Sequence, residues 1–203
     1  IVKGWSTETG IEIASTGIQV HGGMGFIEET GAAQPLRDVR ITTIYEGTTG
    51  IQSTDLVGRK VGRDRGVAMG ALLADMAREI EALEAQDPGV TLAKRAAAEG
   101  VASLREATAA ILEAMSKSPD RAYAVSVPYL RLCGYVMGGW LLARSADIAA
   151  RKLAAGDADR DFLAGKIVSA RFYAEQVLPQ ALGLARVVTG GAASVLEVDA
   201  ALI

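Results

Sequence analysis

The sequence predicts an all-α fold, and three observations carry that prediction. Ala, Leu, Glu, Arg and Lys dominate after residue 60, a composition that favours helix. Apolar residues there recur at intervals of three and four, the spacing of one helical face. Strand-like alternation is scarce: residues 39–45 (VRITTIY) are the one β-like run, expected to be extended or irregular.

The elements follow in order. Residues 3–20 are expected to form a helix that closes at His21-Gly22-Gly23, followed by a glycine-rich polar connector over 22–45. Thr48 or Thr49 then caps a helix running to about residue 60. Gly58, Gly62 and Gly66 with Arg63-Asp64-Arg65 mark a joint, which divides a unit of residues 1–61 from a helical bundle of residues 62–203. In the bundle, Met69, Leu72, Leu73, Met76, Ile80 and Leu83 make a first stripe, stopped by Asp87-Pro88-Gly89. Val101, Leu104, Thr108, Ile111, Leu112 and Met115 make a second, ending where Ser118 caps and Pro119 starts the next segment. Pro128 breaks or restarts that segment and leaves residues 129–153 as a third helix. A fourth carries a heptad-like seam, Leu163, Ile167, Ala170, Ala174, Val177, Ala181, Leu184 and Val188, bent by Pro179 and closed by Gly190-Gly191. Four amphipathic helices with short loops predict an antiparallel bundle.

Composition excludes several function classes. Among 203 residues, half hydrophobic, the formal net charge is −3 with the signs interspersed, so there is no basic footprint for nucleic acid. The apolar run over 132–143 is closed by Arg131 and Arg144, too short to span a bilayer and suited to a buried helix. Cys133 is the single cysteine; no internal disulfide is possible, which fits a reducing, cytoplasmic setting, and its apolar neighbours predict a packed core thiol. No metal ligand set is assigned. The opening Ile1-Val2-Lys3-Gly4-Trp5, with neither a start methionine nor a signal peptide, leads to the expectation that residues precede it.

Two segments are not explained by pattern alone. In Gln19-Val20-His21-Gly22-Gly23-Met24-Gly25 the glycines let backbone N–H groups approach a phosphate, although taken alone they read as a helix cap. In Tyr45-Glu46-Gly47-Thr48-Thr49-Gly50-Ile51-Gln52 a carboxylate stands just before a helix N-terminus beside a glycine; alone, it reads as a solvated residue. With Arg37-Asp38-Val39-Arg40 between them, the three segments in this order resemble the C-terminal helical domain of the acyl-CoA dehydrogenase family, over roughly the first sixty residues. The remainder resembles, in length and helical texture, the helical domain appended in longer members.

That resemblance implies a chemistry. Glu46 is the expected base, removing the Cα proton of an acyl-CoA thioester while hydride leaves Cβ for FAD. An ordinary carboxylate is too weak a base for such a proton, so the site has to stabilise the developing enolate and desolvate the base. The Glu46 backbone N–H and a flavin ribityl hydroxyl are expected to bind the thioester oxygen, and Gly47 to leave room for substrate. Gln19, Gly22 and Gly23 are expected to contact FAD held mainly by a neighbouring subunit, and Thr48 and the backbone near Gly50 to touch the flavin nucleotide. Gly50 replaces the polar side chain commoner there. For Arg37 and Arg40, an ion pair with Asp38 competes with a ligand role, and His21 is expected only to shape the loop. The implied partners are an acyl-CoA substrate, an electron-transfer flavoprotein or similar acceptor, and further copies in a dimer or tetramer. A flavoprotein acyl-CoA oxidase is the rival enzyme reading. For residues 62–203 taken separately, a non-catalytic oligomerisation or docking module is preferred. An apolar patch around Ile11, Ile18, Val20, Ile44 and Ile51 is expected to drive self-association.

Overall fold

The predicted stripes are the inner faces of four long helical units in the computed structural model, which describes residues 1–202; Ile203, the last residue of the predicted bundle, lies outside the described residues. Helix α5 (Val67–Glu81) buries Met69, Leu73, Met76 and Ile80. Helix α6 (Pro88–Lys117) buries Val101, Leu104, Thr108 and Ile111, and begins at Asp87, whose carboxylate accepts the N–H of Gly89 at 2.7 Å and of Val90 at 3.3 Å. Helix α8 (Ser126–Ala154) is central: it packs on α5, on α6, and on the interrupted fourth unit, α9 (Arg160–Phe172) and α10 (Gln180–Gly190). Each fully buried Leu or Tyr on these faces contributes about 1.5–3 kcal/mol of burial. No strand occurs among the described residues.

Proline placement follows from its missing N–H. Pro88 and Pro119 open α6 and the short α7 (Pro119–Ala124), and Pro128 sits in the first turn of α8, restarting the helix there. Pro179 lies where the fourth unit is interrupted; before it the chain widens into a π turn over Tyr173–Val177, with Leu178 N–H bonded to Tyr173 O at 2.8 Å. Ser118 corrects an expectation: its side chain makes no capping bond, and its carbonyl instead accepts the Arg121 N–H at 3.0 Å.

The predicted connector corrects another. It folds as short helices, α2 (Gly23–Phe26) and α3 (Gln34–Arg40), each followed by a 3-10 turn, Glu28–Thr30 and Ile41–Thr43. The β-like run over 39–45 is therefore helical in part and nowhere a strand. β-branched residues favour strand only where a pleated neighbour exists. Here the neighbour is helix α1 (Val2–Val20), against whose Gly10 Val39 packs, and Thr42 Oγ1 donates to Val39 O at 2.6 Å.

Helix α4 (Thr49–Asp55) continues as a π segment, Leu56–Gly62, whose Leu56, Val57 and Val61 enter the same core as α5, α6 and α8. The chain turns at Arg65 and Gly66, both with positive φ, and Asp64 holds the turn through the N–H groups of Gly66 and Ala68. The first sixty residues thus sit on α8. The Trp5 and Tyr135 rings meet edge to face at 4.4 Å, Ser53 and Ser126 share a buried hydroxyl contact at 2.9 Å, and Arg131 pairs with Glu12 at 2.9 Å.

Asp147 and Cys133 are both buried in the bundle. Asp147, 3% exposed, accepts N–H bonds from Glu84 and Ala85 and a guanidinium bond from Arg151, each at 2.9 Å. Burial opposes its charge, but the two amides and Arg151 together hold its carboxyl below the usual carboxylate range. Cys133 is the packed thiol the sequence predicts, and burial pushes its pKa up to about 12.

Candidate functional site

Glu46 lies in a turn between the 3-10 segment Ile41–Thr43 and α4, and its backbone is unusual. Its φ is +51°, and Gly47 follows at +93°. A left-handed conformation costs a residue with a Cβ about 1–2 kcal/mol and persists only when its surroundings impose it. The surroundings are visible. Gln52 Nε2 donates to Glu46 O at 3.0 Å, and Lys3 Nζ donates to Gly47 O at 2.6 Å while lying 5.9 Å from the Tyr45 ring centroid. A Cβ at Gly47 would lie 2.9 Å from Gln52 Nε2 and displace the bond that Gln52 makes to Glu46 O, and the φ of +93° itself strains any side chain there.

Helix α4 begins directly after this turn. Thr48 is its cap, as expected: its Oγ1 accepts the Ile51 N–H at 3.3 Å. That bond uses an acceptor of the hydroxyl and leaves its O–H free to donate. Thr49 bonds Glu8 of α1, which fixes the start of α4 against that helix. Gly50 is exposed, and nothing but Thr48 Oγ1 comes near its missing side chain. Glu46 is exposed, so in this chain its carboxylate faces solvent. Glu46, Gly47, Thr48 and Gly50 are therefore one contiguous surface.

Gln19, Gly22 and Gly23 are not part of it. All three are exposed at the far end of α1, where Gly22 has φ +60° and the side-chain directions of Gly22 and Gly23 open on empty space. The Glu46 turn touches α1 at Lys3 and Glu8. Lys3 and Gln19 are sixteen helical steps apart, which at 1.5 Å each is about 24 Å. A single copy of the chain does not bring the two motifs together. His21 donates from Nδ1 to Gly17 O at 2.8 Å, a local loop contact.

The arginines correct the ion-pair expectation. Arg37 lies 3.6 Å from Glu28, and Arg40 donates to Thr43 Oγ1 at 2.6 Å; neither pairs with Asp38. On a helix, adjacent residues point about 100° apart and do not face one another. Sequence reasoning also missed Lys3 and Gln52. The Lys3 contact spans 44 positions and leaves no local signature. Gln52 stands in the quoted motif, but its side-chain bond to Glu46 O is a property of the turn. Of the patch residues, Val20, Ile44 and Ile51 are exposed, whereas Ile11 and Ile18 are half-buried. Among the described residues no three His, Cys, Asp or Glu gather as a metal site, and no helix is long and apolar enough to cross a membrane.

Comparison with known proteins gives the family of the chain. Residues 1–62 match the family described as "Acyl-CoA dehydrogenase, C-terminal domain", and residues 72–199 that described as "Acetyl-CoA dehydrogenase C-terminal like". The chain belongs to the acyl-CoA dehydrogenase family. It is 47% identical over 182 residues to a 3-methylmercaptopropionyl-CoA dehydrogenase of Ruegeria pomeroyi, covering 88% of this chain and 30% of the relative. It is 31% identical over 209 residues to the broad-specificity linear acyl-CoA dehydrogenase FadE5 of Mycobacterium tuberculosis, covering 99% of this chain and 34% of the relative. A butyryl-CoA dehydrogenase of Syntrophomonas wolfei is 30% identical over 186 residues, 90% of this chain and 30% of its own length. The chain thus spans only a minor part of the curated relatives it matches.

Proposed function

We propose that this chain is the C-terminal portion of an FAD-dependent acyl-CoA dehydrogenase, with residues 1–61 carrying site residues and 62–203 an appended helical domain. The observation that carries the reading is the Glu46–Gly47 turn, a carboxylate-bearing residue held at positive φ at an exposed helix start. Strain of this kind, imposed by side chains from α1 and α4, is expected where a backbone has to present a reacting group.

In this reading Glu46 removes the proton from Cα of an acyl-CoA thioester, and its own N–H donates to the thioester oxygen as negative charge develops there. Gly47 keeps the substrate side of the turn free of a side chain. Thr48 Oγ1, already accepting from Ile51 N–H, offers its hydroxyl hydrogen to the cofactor, and Gly50 admits the cofactor to the backbone. FAD, when bound, supplies the acceptor for the hydride leaving Cβ. Open, side-chain-free positions at Gly22 and Gly23 fit the approach of an extended dinucleotide to the backbone. Because they lie a helix-length from Glu46, Gln19, Gly22 and Gly23 serve the cofactor of a second copy. A homo-oligomer follows, with an electron-transfer flavoprotein or similar acceptor taking the electrons onward. For residues 62–203 we propose a docking or oligomerisation role: α9 turns Phe162, Val168 and Phe172 outward, each more than half exposed.

Glu46→Gln in the full-length protein tests the reading. The near-isosteric amide keeps the backbone N–H but takes no proton. The variant is expected to keep bound flavin and lose bleaching of the flavin by acyl-CoA. Normal bleaching places the base elsewhere.

A further inference from the structure

We propose that Lys3 is a positioning residue for Glu46, acting through the Gly47 carbonyl; the inference rests on the reading of Glu46 as the base. Two successive residues with positive φ form the turn, and each of their carbonyls has one side-chain donor, Gln52 on Glu46 O and Lys3 on Gly47 O. Peptide units are planar and trans, so holding a carbonyl also holds the opposed N–H. With both planes flanking Gly47 held, the left-handed backbone of Gly47 is fixed between Glu46 and the start of α4. The Cα of Glu46 lies in the first of those planes, so the point from which the carboxylate side chain departs is fixed with it.

The two donors differ in what they are attached to. Gln52 belongs to α4, six residues after Glu46, and is held to α8 beside Ser53, which bonds Ser126. Lys3 belongs to the 19-residue helix α1, and two residues further on Trp5 packs against Tyr135 of the bundle. Lys3 therefore ties the turn to α1, a second element beside the one that carries Gln52. Its bond is charge-assisted, a class shorter and stronger than an amide–carbonyl bond. The Thr49–Glu8 contact lies after the turn and orients the start of α4, leaving the Gly47 plane to Lys3.

The full-length flavoprotein is the material for the test. Lys3→Met keeps the aliphatic stem and removes the donor; Lys3→Arg restores a charged donor. The readouts are exchange of the acyl-CoA Cα proton with deuterated solvent, kcat and KM, bound flavin and the thermal midpoint. K3M is expected to slow exchange and kcat about 10–100-fold, the effect of misplacing a reacting group by about 1 Å, with KM, flavin content and thermal midpoint little changed. K3R is expected to recover most of the rate. Wild-type exchange in K3M overturns the proposal. So does a loss that follows flavin content or stability and is not recovered by K3R, and so does a K3M protein that fails to fold. Glu46→Gln distinguishes the two levels. Wild-type exchange in E46Q removes the reading of Glu46 itself, whereas inactive E46Q beside active K3M removes only the role of Lys3.

Discussion

Helix α8 buries thirteen of its 29 residues, among them Tyr129, Leu130, Leu132, Cys133 and Val136, while α1, 19 residues long, buries Gly4 alone. The contrast extends to whole regions. Leu104, Met76, Ile111 and their neighbours in the bundle cover one another, but Val20, Met24, Phe26, Ile41, Ile44 and Ile51 in the first sixty residues stay exposed. Both regions have ample apolar side chains, so hydrophobic content does not separate them. What separates them is where those side chains find partners. The bundle closes a core of its own and leaves Phe162, Val168 and Phe172 outside it, whereas the site-bearing region covers one flank on α8 and presents another. Exposed large apolar side chains gathered in one region mark surfaces meant to be covered.

The largest effect that tests the bundle's own core concerns Asp147. Asp147→Ala leaves the N–H groups of Glu84 and Ala85 and the Arg151 guanidinium without their partner. The expected loss is about 2–4 kcal/mol at neutral pH, read from denaturant unfolding. The pH dependence has a definite sign. The folded carboxyl is held below its unfolded value of about 3.9, so its stabilisation is fully present above that value. It is lost as pH falls through the folded pKa. The gap between wild type and variant should therefore narrow only in acid; a gap that widens there contradicts the assignment.

A smaller effect tests the join between the regions. A Cβ at Gly134 would lie 2.2 Å from Trp5 Cδ2. Gly134→Ala is expected to cost about 1–3 kcal/mol by overpacking and to shift the Trp5 fluorescence to the red as the ring leaves Tyr135. Unchanged emission would mean that α1 is not seated on α8. Smallest in stability is Phe26→Ser, at a residue 86% exposed. It is expected to change stability by less than about 0.5 kcal/mol yet to reduce self-association measured by light scattering. Equal scattering would show that this face is not the sticky one.

The sequence made the bundle legible because each helix there repeats one signal over several turns. Leu104, Thr108 and Ile111 are spaced for one face, and that face is buried. Asp87-Pro88 and Pro179 act locally, so their effects follow from residue type. Residues 39–45 were not legible, because the β-branched preference of Val39, Ile41, Thr42, Thr43 and Ile44 was overridden by packing on α1. At the site, Thr48 was readable as a cap from its place before α4. The left-handed backbone of Glu46 was not, because it arises from Lys3 and Gln52 acting on carbonyls, and carbonyls carry no residue identity. Neither arginine pairing was readable, since Glu28 and Thr43 reach Arg37 and Arg40 only once α3 is a helix.

Helix α1 also acts as a gauge. It carries Lys3 near one end and Gln19 near the other, and the turn at Gly22 follows directly. Inserting one residue between them would rotate the far end by about 100° and advance it by about 1.5 Å. The Gly22 turn would then point to the side, even though every residue in both motifs survived. Adding seven residues, close to two full turns, would restore the direction to within about 20° but carry the turn about 10 Å further out. Length and phase thus constrain this helix more tightly than the identity of its exposed side chains. Substitutions along its outer face should be tolerated where single-residue insertions or deletions are not.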